Sequence, residues 1–164
     1  EKISAIQGDW RYFQCSRRCH DELYDSVETL HKLNDAIGPD LRVPTDMIPR
    51  CPKCGAEMEP WVRSWVFLEG KKYHEEHNKL NAFLKKNMHK KVLFLELGVG
   101  RMTPMFIQEP FWDLTYAWPG AFYITINPRD AIVPDELKNK GMAIREDIAK
   151  VLADTRKIFS GEMK

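Results

Sequence analysis

VLFLELGVGRMTP, residues 92–104, indicates the fold class of this chain. Val92–Leu97 is a short apolar run, typical of a buried strand, and it ends in Gly98-Val99-Gly100. Thr103 is a good helix N-cap and Pro104 suits the first helical position, so a helix should begin there. The pattern therefore predicts a strand, a glycine turn and a helix, which together make one unit of an α/β protein.

The same alternation continues to the end of the chain. The first helix should run towards Tyr116, with a kink or a break at Pro110. Further strands are predicted at 121–126 and 142–145, with a short helix or turn at 134–140 and a terminal helix at 146–159. Connections this short imply a right-handed parallel arrangement, so we predict an α/β fold with part of a doubly wound, Rossmann-like parallel sheet.

The residues before this sheet predict a smaller and less regular region. Turn residues and prolines are frequent there, and apolar residues recur at helical spacing in two places. The predicted elements are a brief strand at 2–6, a helix at 21–37, a loop at 39–50, a strand at 61–68 and a helical stripe at 73–84.

Four cysteines lie in two close pairs within this region. Cys15 and Cys19 are separated by three residues, and Cys51 and Cys54 by two. Thiolates spaced in this way are typical of a tetrahedral Zn²⁺ site of the structural kind, which contributes about 10–16 kcal/mol to folding. We predict such an inserted, small zinc-binding module with four cysteine ligands, and disulfides or free buried thiols are the alternatives.

Composition limits the classes of function. The 164 residues carry 25 Lys and Arg against 24 Asp and Glu, so the chain lacks the basic excess of a generic nucleic-acid binder. The apolar fraction of 43 % is enough for a folded core, and no apolar run approaches the ~20 residues of a membrane span. The first residue is Glu1, with no visible signal peptide. We therefore expect a cytoplasmic protein that binds neither nucleic acid nor membrane, and one that is trimmed or is a piece of a longer chain.

Ligands of doubly wound sheets bind beyond the carboxyl ends of the strands, which are predicted here at residues 98–103, 127–129 and 145–148. Gly98-Val99-Gly100 either lets backbone N–H groups approach a phosphate or ribose, or is a plain tight turn. Asn127 either hydrogen-bonds a ribose or only forms a turn before Pro128. The residues alone leave both choices open.

Four motifs in this order resemble the C-terminal portion of a sirtuin, the NAD-dependent deacylase and ADP-ribosyltransferase family. They are Gln7-Gly8 before the cysteine pairs, the strand 95–97 followed by Gly98-Val99-Gly100, Ile124–Asn127 at a strand end, and residues 144–152 at the start of the last helix. The resemblance covers residues 1 to about 155. It implies three segments: 1–14 as the end of the first Rossmann segment, 15–60 as the zinc-binding module, and 61–160 as the C-terminal half of the NAD-binding domain.

Departures from the family pattern point to one branch of it. The family's catalytic His is replaced by Gln7, whose amide cannot act as a general base. Residues 61–67, WVRSWVF, differ from the clamp with which a deacetylase of the family holds an acyl-lysine peptide. Both differences, together with Gly98–Pro104, resemble the class M, macrodomain-linked sirtuins, which have Gln at this place and act as protein ADP-ribosyltransferases.

The resemblance implies NAD and structural Zn²⁺ as cofactors and a protein substrate, by analogy a lipoylated glycine-cleavage H-like carrier. In that scheme Gln7 is catalytic and orients the ribose or the acceptor. Arg63 is an anion or acceptor anchor on a strand facing the cleft, with a plain surface arginine as the alternative. The implied NAD-contacting residues are Gly98, Val99, Gly100, Thr103, Asn127, Pro128, Asp147 and Ile148, and the implied metal ligands are Cys15, Cys19, Cys51 and Cys54.

Two other classes of function stay open at this point. One is a sirtuin-like deacylase or NAD hydrolase, and the other is a zinc-ribbon binding module without catalytic activity. A sirtuin also needs an upstream Gly-Ala-Gly-x-Ser loop and a Thr-Gln-Asn segment, which this sequence lacks. We therefore expect the N-terminal half of the sirtuin core to be missing, and this chain alone to bind NAD poorly.

Overall fold

The computed structural model describes residues 2–162, and the chain divides into two compact units, Glu1–Ala82 and Phe83–Lys164. The predicted class is confirmed, because the chain is a mixed α/β protein with a parallel sheet and four cysteines that lie close together. The division into three segments stays a prediction.

The first unit is built on a three-stranded antiparallel sheet with the order β2-β1-β3. Its elements are β1 (Gly8–Cys15), β2 (Tyr24–Asp25), α1 (Val27–Asp35), a 3₁₀ turn (Thr45–Met47), β3 (Met58–Val62) and α2 (Lys71–Asn87), whose last residues fall in the second unit. β1 and β3 pair from Gly8 opposite Val62 to Cys15 opposite Met58. Gly8 has a φ of +92°, and a Cβ there would lie 2.0 Å from the Trp61 carbonyl oxygen, so only glycine fits.

The strands of this unit differ from the predicted ones. The brief strand predicted at 2–6 is wrong, because the chain enters the sheet only at Gly8. The strand predicted at 61–68 lies at Met58–Val62 instead. Since the pairing of β3 with β1 ends opposite Gly8, the backbone leaves the sheet and turns at residues 63–66.

The helix α1 is shorter than the predicted helix at 21–37. Tyr24 and Asp25 pair with β1, so the first residues of the helical pattern belong to the sheet. The Asp25 carboxylate accepts a hydrogen bond from the Val27 N–H at 3.0 Å, and buried Ser26 donates to the Trp10 carbonyl at 2.6 Å. Tertiary pairing therefore overrides the local helical pattern before Val27.

The second unit is a parallel sheet with the order β4-β5-β6. Its elements are β4 (Val92–Leu97), a 3₁₀ turn (Pro104–Phe106), α3 (Gln108–Ala117), β5 (Ala121–Ile126), a 3₁₀ turn (Asp135–Leu137), β6 (Gly141–Ile144) and α4 (Ile148–Ser160). β4 and β5 occupy the predicted residues, and β6 and α4 lie close to their predicted bounds. The parallel arrangement predicted from the short connections is confirmed.

The helix predicted to begin at Pro104 consists of two parts. The break between the 3₁₀ turn and α3 falls at Ile107 and not at Pro110, as the sequence predicted. Pro110 is the third residue of α3, and a proline in the first turn of a helix removes no intrahelical hydrogen bond. It therefore neither kinks nor divides α3.

The core of the second unit lies between the sheet and α3. Its buried centre is formed by Phe94, Trp118, Ala121 and Tyr123. Half-buried apolar residues packed against this centre are Leu84, Val92, Phe111, Trp112, Leu114 and Val133.

The opposite face of β4 is apolar and exposed. Leu93, Leu95 and Leu97 are 53 %, 42 % and 41 % exposed, whereas the alternate residues Phe94 and Glu96 are buried. The buried strand predicted from the apolar run is therefore buried on one face only in the described part of the chain, whereas most parallel sheets are covered on both faces.

Among residues 2–162, no helix combines the length and the apolar character needed to cross a bilayer. The predicted cytoplasmic location stays a prediction.

Candidate functional site

The four cysteines form one cluster, here called the cysteine quartet (Cys15, Cys19, Cys51 and Cys54). Their sulfur atoms all lie within 4.8 Å of one another, with 3.6 Å between Cys15 and Cys54 and 3.7 Å between Cys19 and Cys51. These separations exceed a disulfide bond, and all four thiols are free. Tetrahedral Zn–S bonds of about 2.3 Å place sulfurs roughly 3.8 Å apart, so the quartet has the geometry of a four-sulfur metal site.

Local hydrogen bonds shape the electrostatics of the quartet. Backbone N–H groups, first that of Cys19, lower the pKa of the Cys15 thiol to about 6. A hydrogen bond shared with Cys54 and the crowding of the other sulfurs raise the pKa of Cys19 to about 12. A divalent cation would relieve this crowding of negative charge, because it binds the sulfurs as thiolates. His20 supports Cys19 from outside, with its Nδ1 3.0 Å from the Cys19 Sγ.

The carboxyl ends of the neighbouring parallel strands β4 and β5 lie side by side. The segment that follows β4, residues 98–107, is here called the strand-end loop. The Gly98 N–H donates to the Ile126 carbonyl at 2.9 Å, and the Asn127 Nδ2 donates to the Val99 carbonyl at 3.0 Å. Asn127 is buried, and its Oδ1 accepts hydrogen bonds from two backbone N–H groups of the following turn. The structure therefore brings together Gly98, Val99 and Asn127, three of the predicted NAD-contacting residues.

The two glycines of the loop differ in their surroundings. Gly98 has a φ of +67°, and a Cβ there would lie 3.0 Å from the Ile148 Cδ1. Gly100 has no heavy atom of the described residues within 4 Å of such a Cβ, so the protein itself does not require a glycine there. Open space beside a backbone at the end of a parallel strand is what a closely approaching phosphate or ribose needs.

The other predicted NAD-contacting residues have visible structural roles or lie at the edge of the loop. Asp147 caps α4, and its carboxylate accepts a hydrogen bond from the Lys150 N–H at 3.0 Å. Thr103 stands at the N-cap position of the 3₁₀ turn and is half-buried. Pro128 is exposed directly after Asn127. Contacts of these residues with NAD stay a prediction.

Gln7 and Arg63 are neighbours in the first unit. The Arg63 N–H donates to the Gln7 carbonyl at 2.9 Å. The Arg63 guanidinium donates to the Ile6 carbonyl at 3.2 Å, pairs with Glu69, and lies 4.0 Å from the centre of the Phe67 ring. Arg63 follows β3 and does not lie on a strand as predicted, because β3 ends at the preceding residue. Its side chain is only 15 % exposed, so its positive charge is held in place beside Gln7.

A buried carboxylate that the sequence did not single out fixes the segment before Gln7. Glu76 on α2 accepts a hydrogen bond from the Ala5 N–H at 3.3 Å and pairs with Lys72 and Lys79 at 2.9 Å each. Burial opposes ionisation, but the two lysines and the Ala5 N–H outweigh it and lower the pKa of Glu76 to about 2. The signal in the sequence is weak, since lysines four residues before and three after a glutamate are common on solvated helices.

Glu76→Gln should destabilise the first unit by about 1–3 kcal/mol near neutral pH, a range that allows for solvent screening of the two lysines. The folded pKa is lowered from 4.5 to about 2, so the stabilisation is complete above pH 4.5 and is lost as the pH falls towards 2. Urea unfolding of both proteins at several pH values measures the difference. Glu75→Gln, on the exposed side of the same helix, is the control. A difference that does not shrink in acid would contradict the role of Glu76.

Comparison with known proteins shows which proteins this chain resembles. Two curated relatives match: a "Protein ADP-ribosyltransferase" of Staphylococcus aureus (strain Mu50 / ATCC 700699), 35 % identical over 152 residues, and a "Probable bifunctional ADP-ribose hydrolase/ADP-ribosyltransferase" of Fusarium oxysporum f. sp. cubense, 27 % identical over 167 residues. The matches cover 92 % and 93 % of this chain, but only 48 % and 27 % of the relatives, so the chain spans about half or less of their length. No family model matches the chain.

Sirtuins are among the solved structures with a similar fold. A structure on the basis of sirtuin substrate affinity has a TM-score of 0.56 at 14 % identity, covering all of this chain and 58 % of the other. A mutant Sir2 homologue in complex with ADP-ribose has a TM-score of 0.50 at 15 % identity, covering 98 % of this chain and 55 % of the other. At such low identity these likenesses establish the fold alone, which is that of the sirtuins.

The chain is thus similar to part of two proteins named for ADP-ribosyl transfer, and it has the fold of the sirtuins. The resemblance to part of a sirtuin predicted from the sequence is confirmed. The macrodomain-linked branch stays a prediction.

Proposed function

We propose that this chain takes part in NAD-dependent ADP-ribosylation of a partner protein, with Zn²⁺ held by the cysteine quartet. The observation that carries the proposal is the 35 % identity to a protein ADP-ribosyltransferase over 92 % of the chain. Gln7 at the place of the family's catalytic His supports transfer over deacylation, because an amide has no accessible pKa for general-base work. The quartet would be structural, since four sulfurs close the coordination sphere of zinc.

In this proposal NAD supplies the ADP-ribosyl group and nicotinamide is the leaving group. The C1′–nicotinamide bond breaks, a nucleophile of the partner protein bonds to C1′, and the proton of that nucleophile passes to solvent. Gln7 holds the ribose or the incoming nucleophile through its amide, which can donate and accept at once. Arg63, fixed beside Gln7, supplies a positive charge that anchors an anionic group of the nucleotide or acceptor.

The surface near Arg63 is suited to a protein acceptor. A depression of about 510 Å³ is bordered by Arg63, Arg18 and Trp65, and the Trp65 indole is fully exposed. Exposed tryptophan and arginine are the residue types enriched where proteins bind one another. By resemblance, the partner is a lipoylated carrier protein of the glycine-cleavage H-like kind.

Intact mass spectrometry of a lipoylated carrier, after the carrier has been incubated with this protein and NAD, tests this function. The expected result is the gain of one ADP-ribosyl mass on the carrier and the release of nicotinamide. The same carrier without its lipoyl group is the control for partner choice. Free ADP-ribose without labelled protein would instead indicate an NAD hydrolase, and loss of an acyl group from an acyl-lysine peptide would indicate a deacylase.

Substitution of the two loop glycines separates folding from nucleotide binding. Gly98→Ala should cost about 1–2 kcal/mol of stability because of its positive φ. Gly100→Ala should leave stability within about 0.5 kcal/mol, since its Cβ would enter open space, but should weaken binding of ADP-ribose at least about tenfold. Urea unfolding and calorimetric titration measure the two effects. Undiminished binding by Gly100→Ala would place the nucleotide elsewhere.

A further inference from the structure

A second buried carboxylate lies under the strand-end loop, outside the residues already assigned. Glu96 on β4 is 1 % exposed. Its Oε1 accepts a hydrogen bond from the Thr125 hydroxyl at 2.9 Å and another from the Gln108 Nε2 at 3.3 Å. Both partners are themselves buried, so the three side chains form a closed polar cluster inside the second unit.

The cluster connects residues on the two sides of the strand-end loop. Glu96 lies two residues before Gly98, and Gln108 is the first residue of α3. One hydrogen bond therefore joins a residue near the end of β4, just before the strand-end loop, to the residue that directly follows the loop. Thr125 stands opposite Glu96 in the β4–β5 register, two residues before Asn127. The same carboxylate thus contacts both elements whose ends carry the loop.

The cluster is a costly way to stabilise a core. Among the described residues, the Glu96 Oε2, the buried Tyr123 hydroxyl and the Trp112 Nε1 make no hydrogen bond of ordinary geometry, although the Tyr123 hydroxyl lies close to Thr125, Trp112 and Glu96. Burial raises the pKa of Tyr123 to about 12, so its phenol stays neutral beside the carboxylate. A buried carboxylate with an unpaired oxygen costs free energy that an apolar side chain of similar size would not.

The bond to Thr125 adds little, because backbone pairing already fixes β4 against β5 from Val92 to Leu97. Among the described residues, no backbone pairing accompanies the bond to Gln108, and α3 is otherwise held to β4 by apolar packing such as that of Phe111 against Phe94, with 4.9 Å between ring centres. The Gln108 side chain is the described hydrogen-bond partner that ties the start of α3 to β4 through Glu96. Its loss would free one end of the loop while leaving the sheet intact.

We propose that Glu96 is a positioning residue that, through Gln108, sets the conformation in which the strand-end loop receives the ADP-ribosyl part of the nucleotide. The inference rests on the proposed function, since it assigns the loop to that ligand. Glu96 itself stays under the loop, and it acts by holding Gly98-Val99-Gly100 and the start of α3 at a fixed separation.

Hydrogen exchange of this chain tests, without any ligand, whether the Glu96–Gln108 hydrogen bond holds the strand-end loop. Gln108→Leu removes the bond while keeping an apolar volume, and we expect it to raise amide exchange at residues 98–107 about tenfold. Glu96→Gln keeps an oxygen that can accept from both donors, so amide exchange at residues 98–107 should stay close to the rates of the unchanged protein. Thr125→Val is the matched control, because it removes the redundant bond, and it should change exchange in the loop little. Faster exchange spread evenly over residues 83–162, or unchanged exchange at 98–107 in Gln108→Leu, would overturn the proposal.

Calorimetric titration with ADP-ribose, on the shortest form of the protein that binds it, tests the link to the ligand. We expect Gln108→Leu to weaken binding about tenfold and Glu96→Gln to bind almost as the unchanged protein does. Increased loop exchange with unchanged ADP-ribose affinity would overturn the positioning role. If no form containing this chain bound ADP-ribose, the proposed function would fail. The exchange experiment would still decide whether the Glu96–Gln108 hydrogen bond holds the strand-end loop.

Discussion

Chelation of zinc is expected to unfold the first unit, residues 2–82, while residues 83–162 keep their protected amides. Phe13, Trp61 and Phe67 are buried in the first unit, and its cysteine-rich buried cluster consists of Cys15, Cys51 and Ala56 with Met58 packed against it. Two of these residues are proposed ligands, so metal removal takes away the centre of the cluster and leaves crowded sulfurs. A structural zinc site contributes about 10–16 kcal/mol, which is comparable with the whole stability of a typical domain, about 5–15 kcal/mol.

Metal analysis and hydrogen exchange before and after chelation measure this effect. The expected metal content is one zinc per chain, and Cys51→Ser should reproduce the effect of the chelator without it. Lys53→Ala is the matched control, because Lys53 lies between two ligands in sequence, and its side-chain contact within residues 2–162 is an exposed ion pair with Glu22. Such pairs contribute about 0–1 kcal/mol. Zinc-free protein with the same unfolding curve as the original would disprove a structural metal.

The parts of the structure that the sequence predicts best are those with local causes. β4 and β5 were predicted to the residue because each is a continuous apolar run bounded by a turn. The cysteine quartet followed from the spacing of each pair, because a short turn alone can aim two sulfurs at one point. The glycine turn after β4 was predicted for the same reason, since a positive φ at Gly98 is a local requirement.

The parts that the sequence missed depend on distant partners. The pattern at 21–37 is helical, but pairing with β1 takes its first residues into the sheet. Within the apolar run of β4, Glu96 looks like a solvated interruption, and its burial depends on partners 12 and 29 residues away. Glu76 resembles any glutamate on a charged helix until Ala5, 71 residues earlier, donates to it. Both buried carboxylates support segments that carry candidate site residues. The burial of Glu96 and of Glu76 cannot be inferred from the local spacing of residues.

Gln7→Ala is expected to reduce ADP-ribosyl transfer at least about 100-fold, the loss that follows when a reacting group is no longer oriented. The reduction should appear in kcat more than in KM, because the amide acts on the reacting centre and the nucleotide is bound mainly elsewhere. The fold should persist, since the contact to Arg63 is made by the Gln7 backbone carbonyl, which alanine retains. Transfer of radiolabel from NAD to the lipoylated carrier measures activity, and zinc content and the unfolding curve serve as controls. The assay uses the shortest form of the protein containing this chain that labels the carrier.

Gln7→His separates the catalytic position from the rest of the family pattern. Histidine would supply the missing general base, yet we expect no deacetylation of an acetyl-lysine peptide. The segment that would clamp such a peptide is altered: β3 ends at Val62, residues 63–66 turn, and the Arg63 guanidinium is engaged by Glu69. One substitution cannot rebuild both a base and an extended edge for the peptide. Deacetylation by Gln7→His would show that the altered segment at residues 61–67 does not exclude an acyl-lysine peptide. Undiminished labelling of the carrier by Gln7→Ala would show that Gln7 has no role in the transfer.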